Sequence, residues 1–586
     1  MRALLLVLAA SAAALLCLPC SALADPVTPR SAAAFRDSIG VQTHVAYFDT
    51  PYGDWSSVVS SLDQLGVDHL RDGAYVTTNA GWNDRYRQDV ELAAAHGMKF
   101  DFGMGDPHWG AGSLDQLIDL VGGPLRNAVD ALEAPNEYDI FHAGATWPAE
   151  LRDYEQQLYS KAKADASLHS LPVYGPSLVL GDSAAKLGSL SDDLDRGNIH
   201  PYTGGQAPSE QRIRDAFSTF GSVWGDKPVV ATEAGFHNAM SATQGQPPTP
   251  EDVAASYLLR TYLEHFRAGI RRTYAYELID ERSDPGLVDP EQHFGLLRND
   301  LSEKPAFVAL KNMIADIGRL GDVTARPLDY TLGGDTTGVR QLLLQKTDST
   351  YTLALWQSAS QWDTTTRQKI DVADRDVDLT LPAEASVSVV RPTRSSDATV
   401  IGTRTRVALK VPAGPILVEL AFHGSLPAGG GGTGSKPGGS TGSGPSGAVA
   451  RCPRTNRPGG FLLRRGGAQA LVSSGSSGGR TVRVSLCAVR GGRARLEVRR
   501  IGARHGRRVF ALQRVRVAAG RALTASLRLR RPRGLIHAGE LRRLVVEVRY
   551  RPWGHRGYVV LRGRLRLGTR QARRWLHRAA GSVVAH

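Results

Sequence analysis

The chain has 586 residues, of which 42% are hydrophobic and 22% charged, a composition that excludes a wholly disordered chain, a collagen-like fibre and a polytopic membrane protein. At about 150 residues per domain the length implies three or four domains, or fewer if one is a barrel. The net charge of +14 conceals a division: residues 451–586 hold 34 Arg, no Lys, no Asp and three Glu, a net +31, so the remainder carries −17.

In chain order, Met1-Arg2, the apolar run Ala3–Leu18 and the small-residue exit Ala22-Leu23-Ala24 read as a secretory signal over residues 1–24, with the mature chain beginning near Asp25. A membrane anchor is the competing reading, but the run is shorter than the span of about 20 residues that a bilayer needs. No other stretch is apolar enough to cross a membrane. A secreted or envelope-associated protein is expected.

From residue 25 to 321, short apolar runs alternate with amphipathic stretches. Eight strands are predicted, IGVQTHVAYF, DHLRDGA, MKFDFGM, VDALEAPN, PVYGPSLV, NIHPY, KPVVATEAGF and RRTYAYELID, separated by helices such as DWSSVVSSLDQLG and PEDVAASYLLRTYLEHFRAGI. Eight strand–helix pairs fit a (β/α)8 barrel of the α/β class, and neither GxGxxG nor GxxxxGK is present to suggest an open nucleotide-binding sheet. Over residues 322–423 the period changes to two, as in TYTLALWQ and ASVSVVRP, which predicts a β-sandwich. Residues 424–449, rich in Gly, Ser and Pro, read as a flexible tether. Over residues 450–586, Arg alternates with Val and Leu, as in ARLEVRRI and RRVFALQRVRV, which predicts a small all-β domain with one guanidinium-rich face. Once the signal is removed only Cys452 and Cys487 remain, an even pair that in an exported chain reads as one disulfide.

Barrel enzymes draw their catalytic groups from the C-terminal ends of strands. Two glutamates stand there: Glu137 after the fourth strand, in EAPNEYD, and Glu233 closing the seventh, in VVATEAGFH. Opposed carboxylates suit glycosidic cleavage, one donating a proton to the leaving oxygen while the other attacks the anomeric carbon, and that chemistry needs no metal or cofactor. A salt-bridge partner is the bland reading of either alone.

Asn136-Glu137 after strand four, His200-Pro201-Tyr202 after strand six and Thr232-Glu233 after strand seven together resemble the retaining clan A glycoside hydrolases, which include cellulases, β-xylosidases and α-L-iduronidases. The resemblance covers about residues 38–422, since many of those enzymes carry a β-sandwich after the barrel. It implies Glu137 as acid/base and Glu233 as nucleophile. Asn136 would bind the sugar's 2-hydroxyl, Tyr202 would hold the nucleophile, and Arg71 would support it from beneath. Two positions depart from the common pattern: Tyr138 stands where Pro is usual, and strand eight offers Tyr276 and Glu277 where a Trp platform is expected.

His108 and Trp109, in GDPHWG after strand three, are candidates to stack on a sugar ring, and His44 and His200 to bind hydroxyls. Each has an equally simple structural reading. The basic domain must attract polyanions; its strand-borne arginines and few aromatic residues argue against sequence-specific nucleic-acid reading and favour an anionic cell-wall polymer or surface. The sequence thus points to a secreted retaining glycoside hydrolase acting on a poly- or oligosaccharide. The alternative is a catalytically inactive, wall-associated carbohydrate-binding protein.

Overall fold

The computed structural model describes residues 26–423, apart from positions 107, 109–111, 143 and 322, together with the backbone of eight strands between 461 and 565. The expected signal, the tether 424–449, Trp109 and Cys452 lie outside the described residues. The chain divides into two units, Met1–Thr433 and Gly434–His586.

In the first unit eight parallel strands form a barrel: β1 (Ile39–Gln42), β2 (His69–Gly73), β3 (Lys99–Gly103), β4 (Val129–Glu133), β5 (Val173–Tyr174), β6 (Gly197–Ile199), β7 (Val229–Ala234) and β8 (Thr273–Ala275). Their order in the sheet is β5-β4-β3-β2-β1-β8-β7-β6, and a parallel bridge between Tyr174 and Arg196 joins the two ends. A helix follows each strand: α1 (Trp55–Leu65), α2 (Ala80–Ala95), α3 (Leu114–Gly122), α4 (Trp147–Ala164), α5 (Ser183–Leu187), α6 (Glu210–Phe220), α7 (Glu251–Ala268) and α8 (Pro305–Ile317).

Local chemistry sets these boundaries. Asp54, Asn79, Ser113 and Ser209 accept backbone N–H groups at the starts of α1, α2, α3 and α6, each cap contributing about 1 kcal/mol. Gly66 and Gly269 end α1 and α7 with φ of 83° and 94°, a conformation that a Cβ disfavours. The strands are shorter than their apolar runs suggest. The first run stops pairing soon after Gln42 because the Asp72 carboxylate takes the Thr43 hydroxyl (2.6 Å) and the Val45 N–H (2.9 Å), turning the chain out of the sheet.

The sandwich is one seven-stranded sheet wrapped around its own apolar cluster, which includes Tyr351, Leu353, Leu379, Val389 and Val418. Two strands of 17 residues, Arg375–Arg391 and Ser395–Val411, run through it, each longer than the separate strands read from the sequence. A segment ahead of the barrel also joins: Arg30–Ser31 pairs in parallel with Val339–Thr347, and Val27 bridges Leu328. Barrel and sandwich share one core, in which Trp356 is fully buried. Helix α7 lies at the junction, its Glu264 accepting from Trp356 Nε1 (3.0 Å) and its Arg260 donating to the Ala359 carbonyl (2.8 Å).

The described backbone of the second unit comprises two four-stranded antiparallel sheets. One orders Phe461–Arg465, Ala468–Ser474, Thr481–Ala488 and Leu523–Arg528; the other orders Val509–Val517, Gly492–Arg500, Leu544–Pro552 and Val559–Leu565. Among the described residues no helix is long and apolar enough to cross a membrane.

Candidate active site

The upper lumen of the barrel is polar where an apolar plug would otherwise fill it. Register sets Gln42 beside Arg71 on neighbouring strands, and Arg71 then gathers the site. Its Nε and Nη2 grip the fully buried Glu133 at 2.7 and 2.8 Å. Nη1 donates to Gln42 Oε1 (2.8 Å) and Glu233 Oε1 (2.5 Å), and Nη2 also to Asn136 Oδ1 (2.7 Å). All five guanidinium N–H groups are thereby engaged. A buried ion pair persists when its remaining lone pairs are satisfied; Glu133 meets that condition by accepting from Asn198 Nδ2 and Thr232 Oγ1, both at 2.9 Å.

Glu233, at the end of β7, takes Arg71 on one oxygen and the Tyr202 hydroxyl (2.8 Å) on the other. Glu137 follows β4 with a left-handed φ of 43°, a conformation that costs a non-glycine residue about 1–3 kcal/mol. It is held there by its N–H on Ser177 Oγ (3.1 Å) and by Ile140 N–H on its carbonyl (3.1 Å). Its carboxylate does not cap the short helix Tyr138–Phe141. It turns to His200, whose Nδ1 is 2.7 Å from Glu137 Oε1 and 3.5 Å from Glu233 Oε2. His200 Nε2 faces Thr232 Oγ1 at 2.9 Å. One ligand-type atom from each of Glu137, His200 and Glu233 lies within 4.8 Å of the others.

Glu137 and His200 shift each other's protonation. Burial pushes the Glu137 carboxyl up, but the His200 ring beside it outweighs that and leaves it below its usual range. Burial lowers His200, yet the charges of Glu233 and Glu137 hold it above its ordinary value. The pair therefore shares one proton, and the balance favours the imidazole.

A second cluster lies within electrostatic reach of the first. His44, after β1, approaches Glu277 Oε2 (3.1 Å) and Glu281 Oε1 (3.7 Å), both beyond β8. His44 stacks on Tyr47 with centroids 4.5 Å apart and meets Tyr276 edge-on at 6.0 Å. Tyr276 packs edge-on against Phe294 (5.3 Å), which in turn meets Tyr202 (5.9 Å), and its hydroxyl donates to Glu291 (3.4 Å). These two trios, Glu137–His200–Glu233 and His44–Glu277–Glu281, are the groups that could hold a divalent cation among the described residues. In the first, every side chain already has protein partners.

Of the residues singled out from sequence, Glu137, Glu233, Asn136, Arg71, His200 and Tyr202 converge in one hydrogen-bonded network, and Tyr276 stands at its rim. Both ring nitrogens of His200 are within hydrogen-bond distance of protein groups. His108 belongs to a neighbouring cluster, against His142 (4.6 Å) and 3.5 Å from Glu150. Tyr138, where Pro was usual, is buried there and donates to Glu150 (3.0 Å). Sequence reasoning missed Glu133, Gln42 and Asn198. For Glu133 the signal was present: an acidic residue inside a buried strand, four before Glu137, requires a cationic partner.

No family model matches the chain, and no curated protein matches it. Among solved structures the chain is similar to a family 39 glycoside hydrolase from the gut symbiont Bacteroides cellulosilyticus WH2, at 16% identity over 68% of this chain and 83% of that one, with a TM-score of 0.41. It is also similar to a monomeric beta-xylosidase from Caulobacter crescentus CB15 (13% identity, 68% and 98%, TM-score 0.44). A third is a family 17 beta-1,3-glucanosyltransferase from Rhizomucor miehei (19% identity, 46% and 97%, TM-score 0.34).

Proposed function

We propose that this chain is a retaining glycoside hydrolase. One observation carries the reading: a carboxylate oxygen of Glu137 and one of Glu233 lie within 4.8 Å of each other at the C-terminal ends of β4 and β7. Retaining enzymes hold their carboxyl groups about 5–5.5 Å apart, whereas inversion leaves about 6.5–9.5 Å for a water. Arg71 and Tyr202 fix both oxygens of Glu233, which orients it as the attacking group.

In the first step Glu233 attacks the anomeric carbon while the proton shared by Glu137 and His200 passes through Glu137 to the leaving oxygen. In the second, Glu137 takes a proton from water, which displaces Glu233 and releases the sugar with its configuration retained. On the same reading the N-terminal segment exports the chain, and the Arg-rich module engages an anionic wall polymer with an affinity that falls as salt rises.

The test incubates the full chain with aryl glycosides and wall polysaccharides beside Glu137→Gln and Glu233→Gln. Turnover by the parent, its loss in both variants and a 2-fluoro sugar trapped on the Glu233 peptide support the enzyme. Inversion at the anomeric carbon, or turnover surviving Glu233→Gln, refutes the mechanism. A second reading, a carbohydrate-binding protein without turnover, is favoured by the ion pair that keeps Glu137 deprotonated; sugar binding unchanged in both variants without turnover would establish it.

A further inference from the structure

We propose that His44, Glu277 and Glu281 form a binding site for one divalent transition-metal ion of the Zn2+ class, between the loops that follow β1 and β8. These two strands pair in the sheet. His44, two residues beyond β1, therefore comes beside Glu277 and Glu281, which follow β8. The site stands whether or not the chain cleaves glycosides.

The spacing is that of a coordination shell. His44 Nε2 lies 3.1 Å from Glu277 Oε2 and 3.7 Å from Glu281 Oε1, and one ligand-type atom of each residue lies within 4.8 Å of the others. An ion held by four ligands at about 2.0–2.2 Å sets neighbouring ligand atoms roughly 3.3–3.6 Å apart, a range that the two distances bracket. These approaches are not hydrogen bonds. His44 Nε2 is buried and has no hydrogen-bond partner among the described residues, and neither has Oε1 of the fully buried Glu277. Unmade polar bonds of that kind are costly, and a cation shared by the imidazole and a bidentate Glu277 would satisfy both atoms.

Neighbouring groups hold the ligands ready. The Tyr52 hydroxyl accepts from Ile279 N–H (3.2 Å) and donates to Glu277 Oε2 (3.3 Å), and Tyr47 stacks on the His44 ring; outer contacts of this sort orient metal ligands. Burial keeps His44 below its ordinary 6.5, so the ring is neutral, as coordination requires. The nearby protein cations are committed elsewhere: Lys304 to Asp280 (2.8 Å), Arg282 to Asp49 (2.6 Å) and Arg71 to Glu133 and Glu233. The donor set decides the class, because Ca2+ and Mg2+ take oxygen ligands whereas an imidazole with carboxylates suits Zn2+. The side chains of His44 and Glu281 keep 12% and 15% of their surface exposed, which leaves the ion an entry path.

The test uses the full chain after EDTA treatment and dialysis. Calorimetric titration with ZnCl2 should show an ion whose binding is weakened at least about a hundredfold in His44→Gln and in Glu281→Gln. Zn2+ should raise the melting temperature of the parent and of neither variant, and MgCl2 or CaCl2 should leave all three unchanged. Co2+ in place of Zn2+ should give the visible bands of a four- or five-coordinate ion in the parent alone. Circular dichroism recorded with each titration separates loss of the ion from loss of the fold, and the part-exposed Glu281 carries the decision if His44→Gln unfolds. Absence of binding by the parent overturns the proposal and leaves protons to neutralise the cluster. Binding that a folded Glu281→Gln retains in full, or a preference for Ca2+ or Mg2+, overturns it equally.

Discussion

His200 Nδ1 lies 2.7 Å from Glu137 Oε1 and 3.5 Å from Glu233 Oε2, so one imidazole spans the two carboxylates. Its Nε2 is met by Thr232, which reaches Glu133 and through it Arg71. With Nε2–H donating to Thr232, Nδ1 is left either to accept a proton from Glu137 or to carry one toward it. That is the property the proposed acid/base needs when its own carboxyl sits below the usual range.

Replacement of His200 tests this coupling. In the parent the proton resides on a pair whose imidazole titrates above its ordinary 6.5, so the basic limb of kcat/KM should stand above that pH. In His200→Asn the proton has only Glu137 to occupy, and the basic limb should move below 6.5, with a loss of roughly 10–100-fold at neutral pH. A steady-state pH profile reads this directly. An unshifted basic limb with lowered activity would reduce His200 to a structural prop.

The division of labour proposed for the glutamates predicts a dependence on leaving group. Removing the proton donor in Glu137→Ala should cost roughly 10²–10⁴-fold with poor leaving groups such as alkyl or sugar alcohols. It should cost far less in the first step with dinitrophenyl glycosides, whose phenolate departs without protonation. Added azide, a nucleophile that needs no general base, should then speed release of the sugar from Glu233 and yield the β- or α-glycosyl azide of retained configuration. Equal losses across all leaving groups would contradict the assignment of Glu137.

Arg71 is structural and positional at once. Its removal leaves Glu133 buried without a counter-charge and loosens one oxygen of Glu233. Breaking a buried pair from one side costs about 3–5 kcal/mol, so Arg71→Met should lower stability by that order in urea unfolding and abolish turnover. Arg71→Lys should recover little, since an ammonium has three donors where the guanidinium has five in a fixed fork. The double variant Arg71→Met with Glu133→Leu, which removes both charges, should regain stability but not activity.

The architecture was legible because it rests on periodicity. Alternation of apolar runs with capped amphipathic stretches marked the eight βα units, and carboxylates at strand ends marked Glu137 and Glu233. Gln42 and Asn198 escaped because a polar residue inside a short strand only interrupts an apolar pattern, and Glu133, whose charge called for a cation, did not say which one. What explains them is the position of Arg71, 62 residues from Glu133 along the chain. Likewise Arg30–Ser31 is a strand only because Val339–Thr347 lies alongside; two residues carry no period of their own. The role of Tyr138 was equally invisible, since it depends on Glu150 of α4 accepting its hydroxyl.

Below the barrel, away from the site, His69 lies between two acids, 2.9 Å from Asp37 Oδ1 and 3.0 Å from Asp130 Oδ2, with Arg272 on both. The His69 ring, followed by Arg272, holds Asp37 down to about 2 against the opposing effect of burial. Burial lowers His69 in turn, but Asp130 and Asp37 outweigh it and raise the imidazole above 6.5. A depressed acid contributes stability that is complete above its unfolded value of 3.8 and lost as pH falls toward 2. A raised histidine contributes stability that is complete below its unfolded value of 6.5 and lost as pH rises through the folded one. The cluster should therefore stabilise the fold most between pH 3.8 and 6.5. Asp37 is 62% exposed, so salt will weaken its share. Scanning calorimetry against pH should show the melting temperature falling on both sides of that window. Asp37→Asn should flatten the acid side and His69→Gln the alkaline side; slopes identical to the parent in both variants would show that other groups govern the dependence.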